Sequence, residues 1–142
     1  MAGNTLKLEI ITPECVTVSD ETTSIVLNAI DGYLGIWPNH APLIAGLRPG
    51  ALHYETSNGE QYVFVAGGFV EVSDNVVSII APAAERAADI DLARAEAAKK
   101  RAEERLQNKA DNVDTARAQA ALARALGRIN TVNESSRSEE RR

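Results

Sequence analysis

Apolar and polar residues alternate with period two through the first 88 positions of this chain. Leu6, Leu8 and Ile10 fall on one side, with Lys7 and Glu9 on the other. Tyr62, Phe64 and Ala66 share a face of a later run, and Val76-Val77-Ser78-Ile79-Ile80 forms another. Asp31-Gly32, Arg48-Pro49-Gly50, Ser57-Asn58-Gly59 and Ser73-Asp74-Asn75 punctuate these runs with residues suited to tight turns. Ser57-Asn58-Gly59, set between GALHYET and EQYVFVA, predicts a hairpin. Short strands at this turn density predict a β-sandwich or barrel over residues 1–87.

The pattern changes after Pro82. From Asp91 to Lys109 there is no Gly, Pro or β-branched residue and alanine dominates, which predicts a helix. Asp89 is the expected N-cap, with Asp91 in the first turn complementing the helix dipole. Asp111 and Asp114 resemble the cap of a second helix running to about Thr131, and so short a connection predicts an antiparallel hairpin over 88–132. The polar NESSRSEERR that follows is expected to be a disordered tail, 133–142. The seam between the helices is small-residued: Leu92, Ala95, Ala98, Ala102 and Leu106 face Ala118, Ala121 or Leu122, Ala125, Ile129 and Val132. A buried alanine methyl contributes far less than the ~1.5–3 kcal/mol of a buried leucine, so the hairpin is expected to be weakly docked and movable.

Charge sharpens the division. The net −5 of the 142-residue chain combines −7 over residues 1–88 with +2 over the remainder. Two parts of such different charge point to different partners. No aromatic interleaves the basic residues after 88, which argues against a nucleic-acid surface built on base stacking. Neither a signal-like N-terminus nor a membrane-length apolar run is present, so a cytoplasmic protein is expected. Cys15 is the single cysteine; it is read as a buried, inert thiol in a strand.

Candidate chemistry is sparse. His53 reads as a plain strand residue. His40, in GIWPNHAPL, is either a loop side chain bonding backbone or a functional residue. No spacing suits a metal site, and no Walker loop or nucleophile elbow occurs, so no catalytic residue is assigned. The arginines say more. Arg94 and Arg101 share a face of the first helix, where Glu96, Glu103 and Glu104 could make the charges self-compensating. Arg117, Arg124 and Arg128 share a face of the second, which holds no acid between Thr115 and Thr131. Some anion must meet them, whether from the first helix, the sandwich, a partner protein or a ligand.

Three stretches coincide: GYLGIWPNHAPLIAGLRPG (32–50), FVAGGFVEVSDNVVSIIA (64–81) and Ile90-Asp91-x-x-Arg94-Ala95. In combination they closely resemble the epsilon subunit of the bacterial F-type ATP synthase, from about Leu6 to Val132. Trp37 and Asn39 stand where that family more often has an aliphatic or Tyr and a Gly. The resemblance implies an α+β chain of two domains, an N-terminal all-β sandwich of about ten strands and a C-terminal antiparallel two-helix hairpin. It implies a non-catalytic rotor subunit of the central stalk, bound to the gamma subunit and the c-ring at the cytoplasmic face of the membrane, peripheral to it. Asp31, Tyr33 and His40 would lie on the loop facing that ring. The hairpin would fold down on the sandwich or extend toward the alpha/beta head, where it obstructs ATP hydrolysis. Some members bind ATP in the folded-down state, and Glu85, Ile90, Asp91, Arg94, Ala95, Arg101, Arg124 and Arg128 match their contact positions. ATP would then be a regulatory ligand, with its Mg²⁺ dependence open. A free-standing ATP-sensing module or a β-sandwich adaptor are the alternatives.

Overall fold

In the computed structural model, which describes residues 4–108 and 114–141, two five-stranded sheets face each other. The strands are β1 (Leu6–Ile11), β2 (Val16–Thr22), β3 (Ile25–Ala29), β4 (Gly32–Ile36), β5 (Leu43–Gly46), β6 (Pro49–Thr56), β7 (Gly59–Ala66), β8 (Phe69–Ser73), β9 (Val76–Ile80) and β10 (Ala84–Arg86). One sheet has the order β2-β1-β9-β8-β5 and the other β10-β7-β6-β3-β4. All pairs are antiparallel except β1 with β9. Of the sandwich or barrel that the alternation predicts, the chain forms the sandwich, with the ten strands that the family resemblance implies. Leu6, Leu8 and Ile10 are buried inward, as are Val70, Val72, Val77 and Ile79 from the same sheet. Ile25, Leu27, Ile36, Leu52, Tyr54, Val63 and Val65 meet them from the other. The turns follow their residues: Asp74 and Asn75 take the two positive φ angles (52° and 62°) of a type I′ hairpin between β8 and β9.

A 3₁₀ turn (Ala87–Asp89) leads to α1 (Leu92–Gln107), and α2 spans Thr115–Glu140. Asp91, and not Asp89, is the N-cap of α1: its carboxylate accepts from the Arg94 amide at 3.0 Å. Asp89 instead closes the 3₁₀ turn, two residues too early to reach that amide. Asp114 caps α2 in the same way through the Arg117 amide at 3.1 Å. Asp111, read alongside it as a cap, lies outside the described residues.

The helix does not end near Thr131. It continues to Glu140, so the tail expected to be disordered is helical over 133–140. A stretch this polar gains little from its own composition, and what holds it is contact with the sandwich, through Ser138.

The outer face of the second sheet is covered by α2, which packs on β6 and β7, while α1 packs on α2. β7 is therefore buried on both sides: Val63 and Val65 point into the sandwich, Tyr62 and Phe64 beneath the helix. The helix–helix seam is the alanine-rich one expected, with Ala95, Ala102, Ala118 and Ala125 buried and Leu92, Leu106, Ile129 and Val132 only half-buried. Cys15 departs from expectation. It is exposed in the turn joining β1 to β2, because the Thr12 amide and hydroxyl both bond its carbonyl and turn the chain there.

Candidate functional site

The chain leaves β10 at Arg86, makes one 3₁₀ turn and enters α1, so Glu85, Asp89, Asp91 and Arg94 succeed one another along one wall. Arg101 continues that wall two turns along α1. The middle of α2 supplies the opposite wall with Arg124, Ala125 and Arg128. Between them lies a cleft of about 530 Å³. Its size falls in the ~300–1,000 Å³ range of small-molecule sites. Of the eight residues singled out in sequence, seven line it: Glu85, Asp91, Arg94, Ala95, Arg101, Arg124 and Arg128. Ile90 does not; half-buried, it closes the preceding turn through its amide to the Ala87 carbonyl.

Arg128 is the fixed cation of the site. Its Nε donates to Glu85 Oε1 at 2.5 Å, and its guanidinium lies 4.6 Å from the centre of the Phe64 ring. Phe64 sits opposite Glu85 in the β7–β10 ladder, so both partners of Arg128 come from one register position. No such ion pair engages Arg94, Arg101 or Arg124 among the described residues. Three cations are thus left facing the cleft, with Asp89 and Asp91 as its other carboxylates. Guanidinium groups bind phosphate oxygens in paired, planar contacts, and carboxylates accept from amino and hydroxyl groups. The arrangement suits a polyanion that also carries hydrogen-bond donors. Ordinary sequence reading missed Asp89 as a cleft residue, since its place before a helix reads as a cap. It also missed Phe64, whose role needs the strand register.

The two parts of the chain match the two domains of one family. Residues 5–87 match the beta-sandwich domain of the ATP synthase delta/epsilon chain, and residues 88–133 match its long alpha-helix domain. The chain belongs to the ATP synthase delta/epsilon family. It is 50% identical over 101 residues to the ATP synthase epsilon chain of Lawsonia intracellularis, covering 71% of this chain and 76% of that one. The epsilon chain of Pelotomaculum thermopropionicum is 48% identical over 109 residues, 77% of this chain and 81% of its own. A chain in the structure of Euglena gracilis mitochondrial ATP synthase superposes with a TM-score of 0.75 at 22% identity, covering 94% of this chain and 81% of that one, which is a likeness of fold. Family membership makes this an epsilon-type, non-catalytic subunit of the central stalk.

The epsilon-type sandwich distributes the supposed ring-facing residues differently from the sequence reading. Asp31 precedes β4 and His40 follows it, so the two are not on one loop. The Asp31 turn is held by the Ile30 amide on the Gly46 carbonyl, at one end of β5. The His40 loop is held at the other end, where the Asn39 amide bonds Asn75 Oδ1 at 2.6 Å. Five residues of strand, about 16 Å, separate the two. Tyr33, 78% exposed, lies on β4 between them and lines a groove beside α2. The His40 ring Nδ1 pairs with the Ala41 carbonyl at 2.7 Å, the backbone-bonding role of a loop histidine. His53 stacks on Tyr62 at 5.3 Å within the β6–β7 ladder. Among the described residues no helix is long and apolar enough to cross a membrane.

Proposed function

We propose that the chain is the rotor subunit that joins the catalytic head of a proton-translocating F-type ATP synthase to its c-ring, and that its hairpin restrains ATP hydrolysis. In this reading the sandwich grips the gamma subunit and the ring at the cytoplasmic face of the membrane. The hairpin rises toward the alpha/beta head to obstruct hydrolysis, and ATP bound in the arginine cleft holds it down. The observation that carries the nucleotide is the convergence of Arg94, Arg101, Arg124 and Arg128, from two helices, on one cleft. A triphosphate there would bridge α1 and α2 and neutralise cations that otherwise repel one another. Asp89 and Asp91 line the same cleft, and in this reading their carboxylates would accept from a base amino group or ribose hydroxyls.

Isothermal titration of the full chain with ATP tests this. Binding is expected, and Arg128→Ala and Arg124→Ala should each weaken it about tenfold or more, as expected for a lost charge-assisted contact. No heat of binding at millimolar ATP, with Arg128→Ala equally inert, removes ATP from the account and leaves the stalk assignment standing.

A further inference from the structure

The family match ends at residue 133, yet α2 continues to Glu140. The extra turns do not project into solvent on every side. Ser138 is 7% exposed, and its hydroxyl donates to Glu60 Oε2 at 3.1 Å across 78 residues of sequence. The same carboxylate oxygen accepts the Tyr62 hydroxyl at 2.7 Å. Tyr62 is itself buried, with its ring stacked on His53. One carboxylate of β7 thereby holds a strand tyrosine and a helix serine together.

The spacing fits a second anchor. Arg128 lies over Phe64, and Ser138 meets Glu60. Ten helical residues rise about 15 Å, and four strand residues span about 13 Å, so helix and strand stay in step between the two contacts. In the stretch beyond 133, one within-helix side-chain bond reinforces the helix, from Asn130 Nδ2 to Glu134 Oε1 at 3.3 Å. The stretch thus depends on the sandwich for its order.

We infer that residues 134–141 are a latch: Ser138 closing on the Glu60–Tyr62 pair fastens the end of the hairpin remote from the arginine cleft, biasing it toward the docked state without any nucleotide. This rests on the hairpin moving as proposed above. Undocking then requires two separate releases, of Arg128 from Glu85 and of Ser138 from Glu60. A chain that ended at 133 would have only the first.

Amide hydrogen exchange of the full chain, compared with Ser138→Ala and Ser138→Asp, each with and without ATP, tests the latch. Alanine is a better helix former than serine, so a purely local effect would slow exchange in Ser138→Ala. The latch demands the opposite sign. Exchange across Thr115–Thr131 should rise about five- to tenfold for Ser138→Ala, the effect of one lost net hydrogen bond. It should rise further for Ser138→Asp, whose carboxylate would face that of Glu60, while β1 amides stay unchanged. Equal exchange over Thr115–Thr131 in all three chains overturns the latch. Failure of the nucleotide reading looks different: exchange rises in both variants, but ATP slows it in none, and the latch stands as a docking contact alone.

Discussion

Tyr54 shows what a single buried polar atom can do in this fold. The side chain is 1% exposed, and a buried phenol needs partners. Its hydroxyl donates to Asp20 Oδ2 at 2.5 Å and accepts from Arg86 Nη1 at 3.3 Å, with Arg86 and Asp20 3.6 Å apart. Asp20 belongs to one sheet, Tyr54 and Arg86 to the other, so the cluster stitches the open edge of the sandwich. Burial, followed by the bond to Asp20, pushes the phenol up to about 12 from 10.0. A raised folded value means the unfolded chain releases this proton first as pH rises. The stabilisation is therefore complete below pH 10 and lost as pH climbs toward 12. Denaturant titrations across that interval should show wild type losing up to ~2–3 kcal/mol, at ~1.4 kcal/mol per pH unit, and Tyr54→Phe losing distinctly less. Tyr62, raised by burial and by Glu60, contributes with the same sign, so the fall should shrink and not vanish. Parallel curves for both chains would dismiss the cluster as a pH-sensitive tie. None of this triad was legible in sequence, because its members come together only through the packing of two sheets. Asn39 was more legible: its φ of 67° is where glycine is cheapest, the residue that the family resemblance leads one to expect there.

Elements were read best where a period was long and least well where burial came from elsewhere. The strand alternation located the sandwich because each inward residue meets the same core. α1 followed from its alanine content, although its cap was read two residues early at Asp89, and the start of α2 followed from Asp114. The last turns of α2 were not legible, since their ordering contact is a serine reaching a glutamate 78 positions away. Gly127 is the clearest case of an element set by its neighbour. A glycine inside a helix costs about 1 kcal/mol against alanine. Here a Cβ would stand 2.6 Å from Phe64 Cε1 and 3.4 Å from the Gly50 Cα, so its absence lets α2 lie close on β6 and β7. Phe64 is fully buried and cannot simply swing aside. Gly127→Ala should therefore destabilise the chain by ~1–3 kcal/mol despite the gain in helix propensity, as overpacking does. It should also displace Arg128 from Phe64 and weaken ATP binding. A chain made more stable by the change would show that propensity outweighs docking and that α2 sits more loosely than its contacts imply.

The molecule as a whole joins a closed core to a hairpin that adds nothing to that core. Every member of the central cluster comes from the sandwich or its immediate exit, and none from α1 or α2. What the hairpin buries is the outer face of β6 and β7, chiefly Phe64 and Tyr62. α1 is a step further removed, resting on α2 through alanines and facing it across the cationic cleft. Such an architecture can lose its second domain without losing its first. A chain ending at Ala88 should fold cooperatively, with stability reduced by the exposure of those two aromatics, each worth ~1.5–3 kcal/mol when buried. It should not bind ATP, since Arg94, Arg101, Arg124 and Arg128 would be gone. Assembled into the synthase it should still join the stalk, because the sandwich surfaces are intact, and ATP hydrolysis by the complex should rise severalfold. Hydrolysis assays on purified complexes, with the subunit's presence verified in each, separate the two roles. Unchanged hydrolysis with the truncated subunit in place would reduce the hairpin to a nucleotide-binding appendage. Loss of the subunit from the complex would move the anchoring surface from the sandwich to the helices.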